Sequence, residues 1–325
     1  VTDPTRAARA PSTDLAAWFE KDSAAELPLL DVIVDQDCNV QCDYCTITPA
    51  MRREHLTTRA VVGALVRGRA EGLRAVSFGG GEPTIRRDLL KLVRRARRLG
   101  YERVKIQSNG LMYAYEEFVR RLLDAGADLF HVSVMGRDRA MYRSIMGQER
   151  YFDMVVQGIG HLVEAGADVV ADVIMKADTY ARLPDTIGTF ADLGVERFVL
   201  WLVSLTDRNA AHPESLVPVR EMRPSIYRAF ELGRRRGISV LSRHIPPCQL
   251  PDYPDHLRDV VAERVLIVTP GSTFWLRESA ISANTFTARC QGCALRPRCW
   301  GVRRDYLERY GDEEIEPFAA GAAPN

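Results

Sequence analysis

From about residue 29 to residue 203 the chain alternates between two patterns of apolar and polar positions. Six short runs rich in β-branched residues read as strands: LLDVIVD (29–35), LRAVSF (73–78), RVKIQS (103–108), LFHVSV (129–134), DVVADVIM (168–175) and RFVLWLV (197–203). Between them, residues 57–72, 87–100, 115–126, 152–166 and 183–194 place apolar side chains three and four apart, and each stretch closes on a glycine. Those are amphipathic helices with glycine stops. Repeated βα units with right-handed crossovers predict an α/β fold, a parallel sheet curling into a partial (β/α)6 barrel. Reactive residues should then sit on the loops that follow strand C-termini.

Beyond residue 204 the alternation breaks. LTDRNAAHPESLVP reads as a loop, 224–236 as a helix opened by Pro224, and 265–277 as two strands joined by a Pro-Gly turn. This divides the chain into an N-terminal extension (1–28), a partial barrel (29–239), a small cysteine-bearing domain (240–318) and a disordered tail (319–325).

Charge narrows the function classes. Lys and Arg number 44 against 43 acids, a net +1, so no nucleic-acid partner is expected. The RRARR (94–98) and RRR (234–236) clusters lie in helical patterns and read as solvated faces. No run of 18 apolar residues occurs and the N-terminus lacks a signal-peptide pattern, so no membrane partner is expected. Seven cysteines fall into two groups, 38/42/45 and 248/290/293/299, with none in the 202 residues between. Reduced thiols that serve metal in the cytoplasm fit this spacing better than a disulfide framework.

The first group, Cys38, Cys42 and Cys45, follows the first strand in DQDCNVQCDYC. Three thiolates can hold three irons of a [4Fe–4S] cluster and leave the fourth iron open, whereas purely electron-carrying clusters normally have four cysteines. A zinc site is the rival, with His55 as a fourth ligand. After the second strand comes FGGGEPT (78–84), whose glycines allow close approach to the backbone and whose Glu82 suits an ammonium group. A phosphate loop is excluded, since no Gly-Lys-Ser/Thr follows and a glutamate repels phosphate.

Together these residues resemble the radical S-adenosylmethionine (SAM) enzyme superfamily. CNVQCDYC matches its C-x3-C-x2-C signature, and GGEP at 80–83 its methionine-binding loop. The resemblance implies that Cys38, Cys42 and Cys45 hold a [4Fe–4S] cluster whose open iron is chelated by SAM. It places Tyr44 near the adenine and Gly80, Gly81 and Glu82 near the methionine amino group, with Ser108, Asn109 and Ser133 as ribose and carboxylate contacts. Met135 stands where the family often has an aspartate. The implied chemistry is reductive SAM cleavage to a 5′-deoxyadenosyl radical and hydrogen-atom abstraction from a C–H bond.

The C290-Q-G-C-A-L-R-P-R-C299 run behind a strand pair resembles the cluster-binding SPASM or twitch domains. With Cys248 it supplies four thiols, enough for one auxiliary [4Fe–4S] cluster formed by Cys248, Cys290, Cys293 and Cys299. Cys248 is alternatively a free catalytic thiol that returns a hydrogen atom to a substrate radical, and spacing does not decide. An auxiliary cluster favours a two-electron oxidation, a free Cys248 a redox-neutral epimerisation. The expected substrate is a small natural product of sugar or aminocyclitol type, with a ribosomal peptide as alternative. A reductase, flavodoxin or ferredoxin is the expected electron donor. A non-catalytic cluster or zinc sensor is the competing class. His131, Trp201, Asp172, Lys176, Asp207, Arg208 and His212 are weaker site candidates on or after strands four to six.

Overall fold

The computed structural model describes residues 27–257, 264–278 and 284–319. Residues 1–26 of the expected N-terminal extension and 320–325 of the expected tail lie outside the described residues. The six strand runs form β1 (Leu29–Asp35), β2 (Ala75–Gly80), β3 (Arg103–Ser108), β4 (Leu129–Val134), β5 (Asp168–Met175) and β6 (Arg197–Leu202), parallel and in sequence order. Burial alternates along β1, β3 and β4, while β2, β5 and β6 are buried over most of their length. On β1, Leu30, Val32 and Val34 are fully buried under the helices, while Asp31, Ile33 and Asp35 point to the other, concave face.

The outer layer is α1 (Thr58–Ala70), α2 (Leu89–Arg98), α3 (Glu116–Ala125), α4 (Arg139–Met146), α5 (Arg150–Glu164), α6 (Leu183–Ala191) and α7 (Val219–Arg236). The short α4 carries no signal long enough to predict from periodicity. It is set by its ends, where Asp138 accepts from the Met141 N–H at 3.0 Å and Gly147 closes it at φ +81°. Helix α7 begins five residues before the expected Pro224, which therefore lies inside it. The carbonyl that Pro224 leaves unbonded is that of Arg220, an exposed residue in the first turn where water can serve it.

The sheet does not stop at six strands or at residue 239. A seventh, β7 (Ser239–Arg243), pairs parallel with β6 across the expected domain boundary. The expected hairpin exists as β8 (Val265–Val268) and β9 (Thr273–Trp275), but β8 pairs parallel with β1 on the opposite edge. The order is β7-β6-β5-β4-β3-β2-β1-β8-β9, an open partial barrel with eight parallel strands. A two-stranded sheet, β10 (Asn284–Thr285) with β11 (Val302–Arg303), and α8 (Arg304–Tyr310) frame the C-terminal cysteines.

Candidate active site

At the C-terminal ends of β1, β2 and β3 three loops are bonded into one unit. The Gly81 N–H donates to the Asp35 carbonyl at 2.7 Å, and the Glu82 N–H to that of Asp37 at 2.8 Å. A Cβ on Gly80 would stand 2.1 Å from the Asp35 oxygen, and one on Gly81 2.0 Å from that of Asp37. These glycines are thus required first by the chain itself: they seat the second loop on the cysteine loop.

Glu82 is fully buried, and its carboxylate is taken up by the protein. Oε1 accepts from the Thr84 N–H (3.0 Å), Thr84 Oγ1 (2.5 Å) and Ser108 Oγ (2.9 Å), and Oε2 from the Asn109 N–H (2.7 Å). Burial pushes its carboxyl up, and those donors pull it back. Ser108 Oγ also accepts from the Gly110 N–H at 3.0 Å. In this structure both side chains tie β2 to β3, so Glu82 and Ser108 have a structural part besides the amine and ribose contacts expected of them. Asn109 spans the next gap, its amide donating to Asn39 Oδ1 at 2.8 Å and lying 3.8 Å from the Cys38 sulfur.

Basic side chains hold the cysteine loop by its carbonyls. Arg52 donates to Cys38 O (3.0 Å) and Val40 O (2.7 Å). Arg208, on the loop after β6, donates to Cys42 O (2.8 Å) and Cys45 O (3.4 Å), and its N–H to Thr46 O. Lys176, after β5, donates to Asp43 at 2.8 Å and pairs with Asp178. The Asp43 N–H reaches Ile145 O on α4 at 3.0 Å. The sequence offers Arg208 as a weak candidate for reading substrate and Lys176 as either paired or SAM-bound, and gives no signal for Arg52. All three grip the loop that carries the thiols.

The three thiols suit a polynuclear metal group. Burial first, then the neighbouring Cys38 and Cys45, pushes the Cys42 thiol up to about 12. Three sulfurs in mutual electrostatic reach become thiolates together only when cationic metal compensates them. Among the described residues no three His, Cys, Asp or Glu side chains converge tightly enough for a single ion, and His55 is exposed, its backbone bridged to Asp35. Tyr44 OH lies 3.1 Å from the Met135 sulfur, which joins the cysteine loop to the end of β4. Ser133 lies on the concave face of β4.

The second thiol set also assembles. Cys248, Cys290, Cys293 and Cys299 line one narrow cleft, with Pro246, Phe286 and Ile315 among its walls. Burial first, and then the other three sulfurs, raises the Cys248 thiol to about 12. Cys248 thus stands among the partners from which its spacing had separated it.

On the concave face, His131 Nδ1 lies 3.1 Å from Asp172 Oδ1, to which Trp201 Nε1 donates at 3.0 Å. Burial pushes the His131 imidazole below its ordinary value despite the pull of Asp172, so it stays neutral near pH 7. Arg243 on β7 lies 5.5 Å over the Trp201 ring, and His244 stacks against it at 5.2 Å with a left-handed φ of +70°. Arg243 and His244 went unnoticed because β7 did. His212 pairs with the exposed Glu214, and Asp207 is held at φ +49°.

Residues 32–190 match the family model described as the radical SAM superfamily. Among curated proteins, a probable GTP 3′,8-cyclase of Methanopyrus kandleri is 32% identical over 170 residues, 52% of this chain and 54% of that protein. One of Sulfurisphaera tokodaii is 26% identical over 224 residues, 67% and 68% of the two chains. The chain spans about half the length of the Methanopyrus relative. Of solved structures, Streptococcus suis SuiB bound to S-adenosylmethionine superposes with a TM-score of 0.65 at 15% identity, covering 95% of this chain and 80% of that one. Native anSMEcpe with bound AdoMet gives 0.62 at 13%, covering 89% and 92%. At such identities the likeness is one of fold.

Proposed function

The chain belongs to the radical SAM superfamily through residues 32–190, and from that premise we propose that it oxidises a C–H bond of a small molecule by two electrons, with a second [4Fe–4S] cluster as electron acceptor. The observation that carries this reading is the gathering of Cys248 with Cys290, Cys293 and Cys299 around one cleft. Four protein thiols ligate all four irons, which suits a cluster that moves electrons. Cys38, Cys42 and Cys45 would hold the first cluster and leave one iron for SAM. When bound, cluster and SAM supply a radical that removes a hydrogen atom.

The chain's own residues do the rest. Arg52, Arg208 and Lys176 fix the cysteine loop. Oxidation of an alcohol to a ketone removes one hydrogen atom, one proton and one electron. His131, with Nδ1–H donated to Asp172, keeps Nε2 free to take the proton. A reductase, flavodoxin or ferredoxin would supply the first electron. The place of Cys248 in the same cleft as three other cysteines favours its use as a ligand over its use as the hydrogen-atom donor of an epimerase. The names of the curated relatives favour a second reading, cyclisation of GTP. Asp31 and Asp172 on the concave face oppose a polyanionic substrate.

Iron and sulfide analysis of the anaerobically purified protein tests the proposal. Wild type should carry about eight irons per chain, and the Cys38/Cys42/Cys45 triple alanine variant about four. Cys248→Ala should keep the first cluster and change the electron paramagnetic resonance of the second. Zinc at either site, or a Cys248→Ala spectrum identical to wild type, would refute it. Conversion of added GTP to a cyclised product would favour the second reading.

A further inference from the structure

The concave face holds polar groups that the fold does not use. Asp31 on β1 stands opposite Ser77 on β2, and Ser77 opposite Lys105 on β3. Adjacent strands lie about 4.8 Å apart, so a carboxylate, a hydroxyl and an ammonium share one row. All three alternate with Val32, Val76 and Val104, which pack under the helices. Ser77 is fully buried, and among the described residues its Oγ has no hydrogen-bond partner; the buried Oδ1 of Asp31 has none there either. Lys105 forms no ion pair or hydrogen bond among the described residues, yet its charge acts on both His131 and Asp172.

This is a poor way to fill a barrel. Parallel barrels are ordinarily packed inside with branched apolar side chains, and an unpartnered buried oxygen costs stability. Lower on the same face, the polar groups are paired: Asp168 bridges Arg103 and Arg197 at the N-terminal ends of the strands. The unpaired groups therefore lie between a closed ionic floor and the cysteine loop.

We propose that this part of the lumen is the substrate pocket and that the substrate is a small monocarboxylate carrying hydroxyl or amino groups. Its carboxylate pairs with Lys105, and its donors reach Asp31 Oδ1 and Ser77 Oγ. The assignment rests on the functional reading above and narrows its substrate class. Charge selects carboxylate over phosphate. Asp172 is held by His131 and Trp201, with Arg243 as the neighbouring cation; Lys105 then meets one anionic charge, and Asp31 and Asp172 repel a second.

Titration calorimetry on the reconstituted holoprotein tests the pocket, with D-gluconate and L-serine as monocarboxylates, D-glucose 1-phosphate as the phosphate and D-glucose as the neutral control. At least one monocarboxylate should bind saturably and glucose should not. Lys105→Met should weaken that binding about tenfold or more, and Lys105→Arg by no more than about threefold. Iron content and circular dichroism report whether each variant folds. Should Lys105→Met fail to fold, Ser77→Ala is the substitute and should weaken binding about two- to fivefold. Glucose binding as tightly as gluconate, heat from glucose 1-phosphate alone, no heat from either acid, or an unchanged Lys105→Met would overturn the assignment. SAM cleavage by the wild type, measured separately, reports on the functional reading. Cleavage without acid binding removes the pocket alone, and acid binding without cleavage removes the reading alone.

Discussion

At the residue scale, the site depends on groups that never touch the chemistry. Arg208 joins the carbonyls of Cys42 and Cys45 to the loop after β6. Hydrogen bonds from a charged donor are worth about 1.5–3 kcal/mol each, and groups supporting metal ligands typically set affinity by about 10–100-fold. Arg208→Gln should therefore release iron to a chelator at least about tenfold faster, with the fold intact by circular dichroism. Glycines give a sharper contrast. Gly80→Ala drives a Cβ into the Asp35 carbonyl at φ +123° and should cost at least about 3 kcal/mol, read as loss of soluble yield and a lowered Tm. Gly63→Ala, in α1 with nothing within 4 Å, should stabilise by about 0.5–1 kcal/mol. His131 gives a pH dependence. Its folded value lies below the ordinary 6.5, so the neutral base persists at pH 7 and is lost on acidification. Facing it are Asp172, Lys105 and Arg243. Turnover should hold down to a pH lower than that of an ordinary imidazole and fall beyond it, and His131→Asn should flatten that acid limb; an unchanged limb in the variant would exclude His131 as the base. That the thiols and the glycine loop come together was legible from the chain, because spacing and residue type carry it. The structural part of Glu82 was not, since only the fold reveals that four donors surround it.

At the scale of elements, the repeated βα pattern showed through because each strand carries buried alternate residues and each predicted helix ends on glycine. Strand β7 was missed, and the pairing of β8 was not foreseen, for physical reasons. SVLSR buries Ser239 and Ser242, which hides its period, and no local signal says that VLIV pairs with β1 on the opposite edge. The C-terminal segment is fastened to the barrel by Arg303 and Asp305. Arg303 donates to the carbonyls of Leu202 and Val203, and Asp305 accepts from the Leu205 N–H at 2.9 Å. Burial alone would raise the Asp305 carboxyl, but Arg303 and the Leu205 and Tyr306 N–H groups hold it below the usual range. Its contribution to stability is thus complete at neutral pH and lost as pH falls through that lowered value. Asp305→Asn should cost about 2–3 kcal/mol at pH 7, read as a lower urea midpoint and faster hydrogen exchange at Leu205. An unchanged midpoint would show that the fastening is dispensable.

At the scale of the whole molecule, one short stretch of chain is tied to the segments that carry both thiol sets. The loop after β6 carries Arg208 on the first set, and the same loop is held by Asp305, six residues beyond Cys299 of the second. Among the described residues no helix is long and apolar enough to cross a membrane. The near-neutral charge and polar lumen suit a small substrate better than a nucleic acid. All of this rests on a cluster held by three thiols that keeps one iron for SAM. Anaerobic incubation of the reconstituted protein with SAM and dithionite tests it most directly, with 5′-deoxyadenosine measured by chromatography. Wild type should release 5′-deoxyadenosine and methionine in equal amounts, and Cys42→Ala neither. A wild-type protein loaded with iron and sulfide that leaves SAM intact would contradict the account.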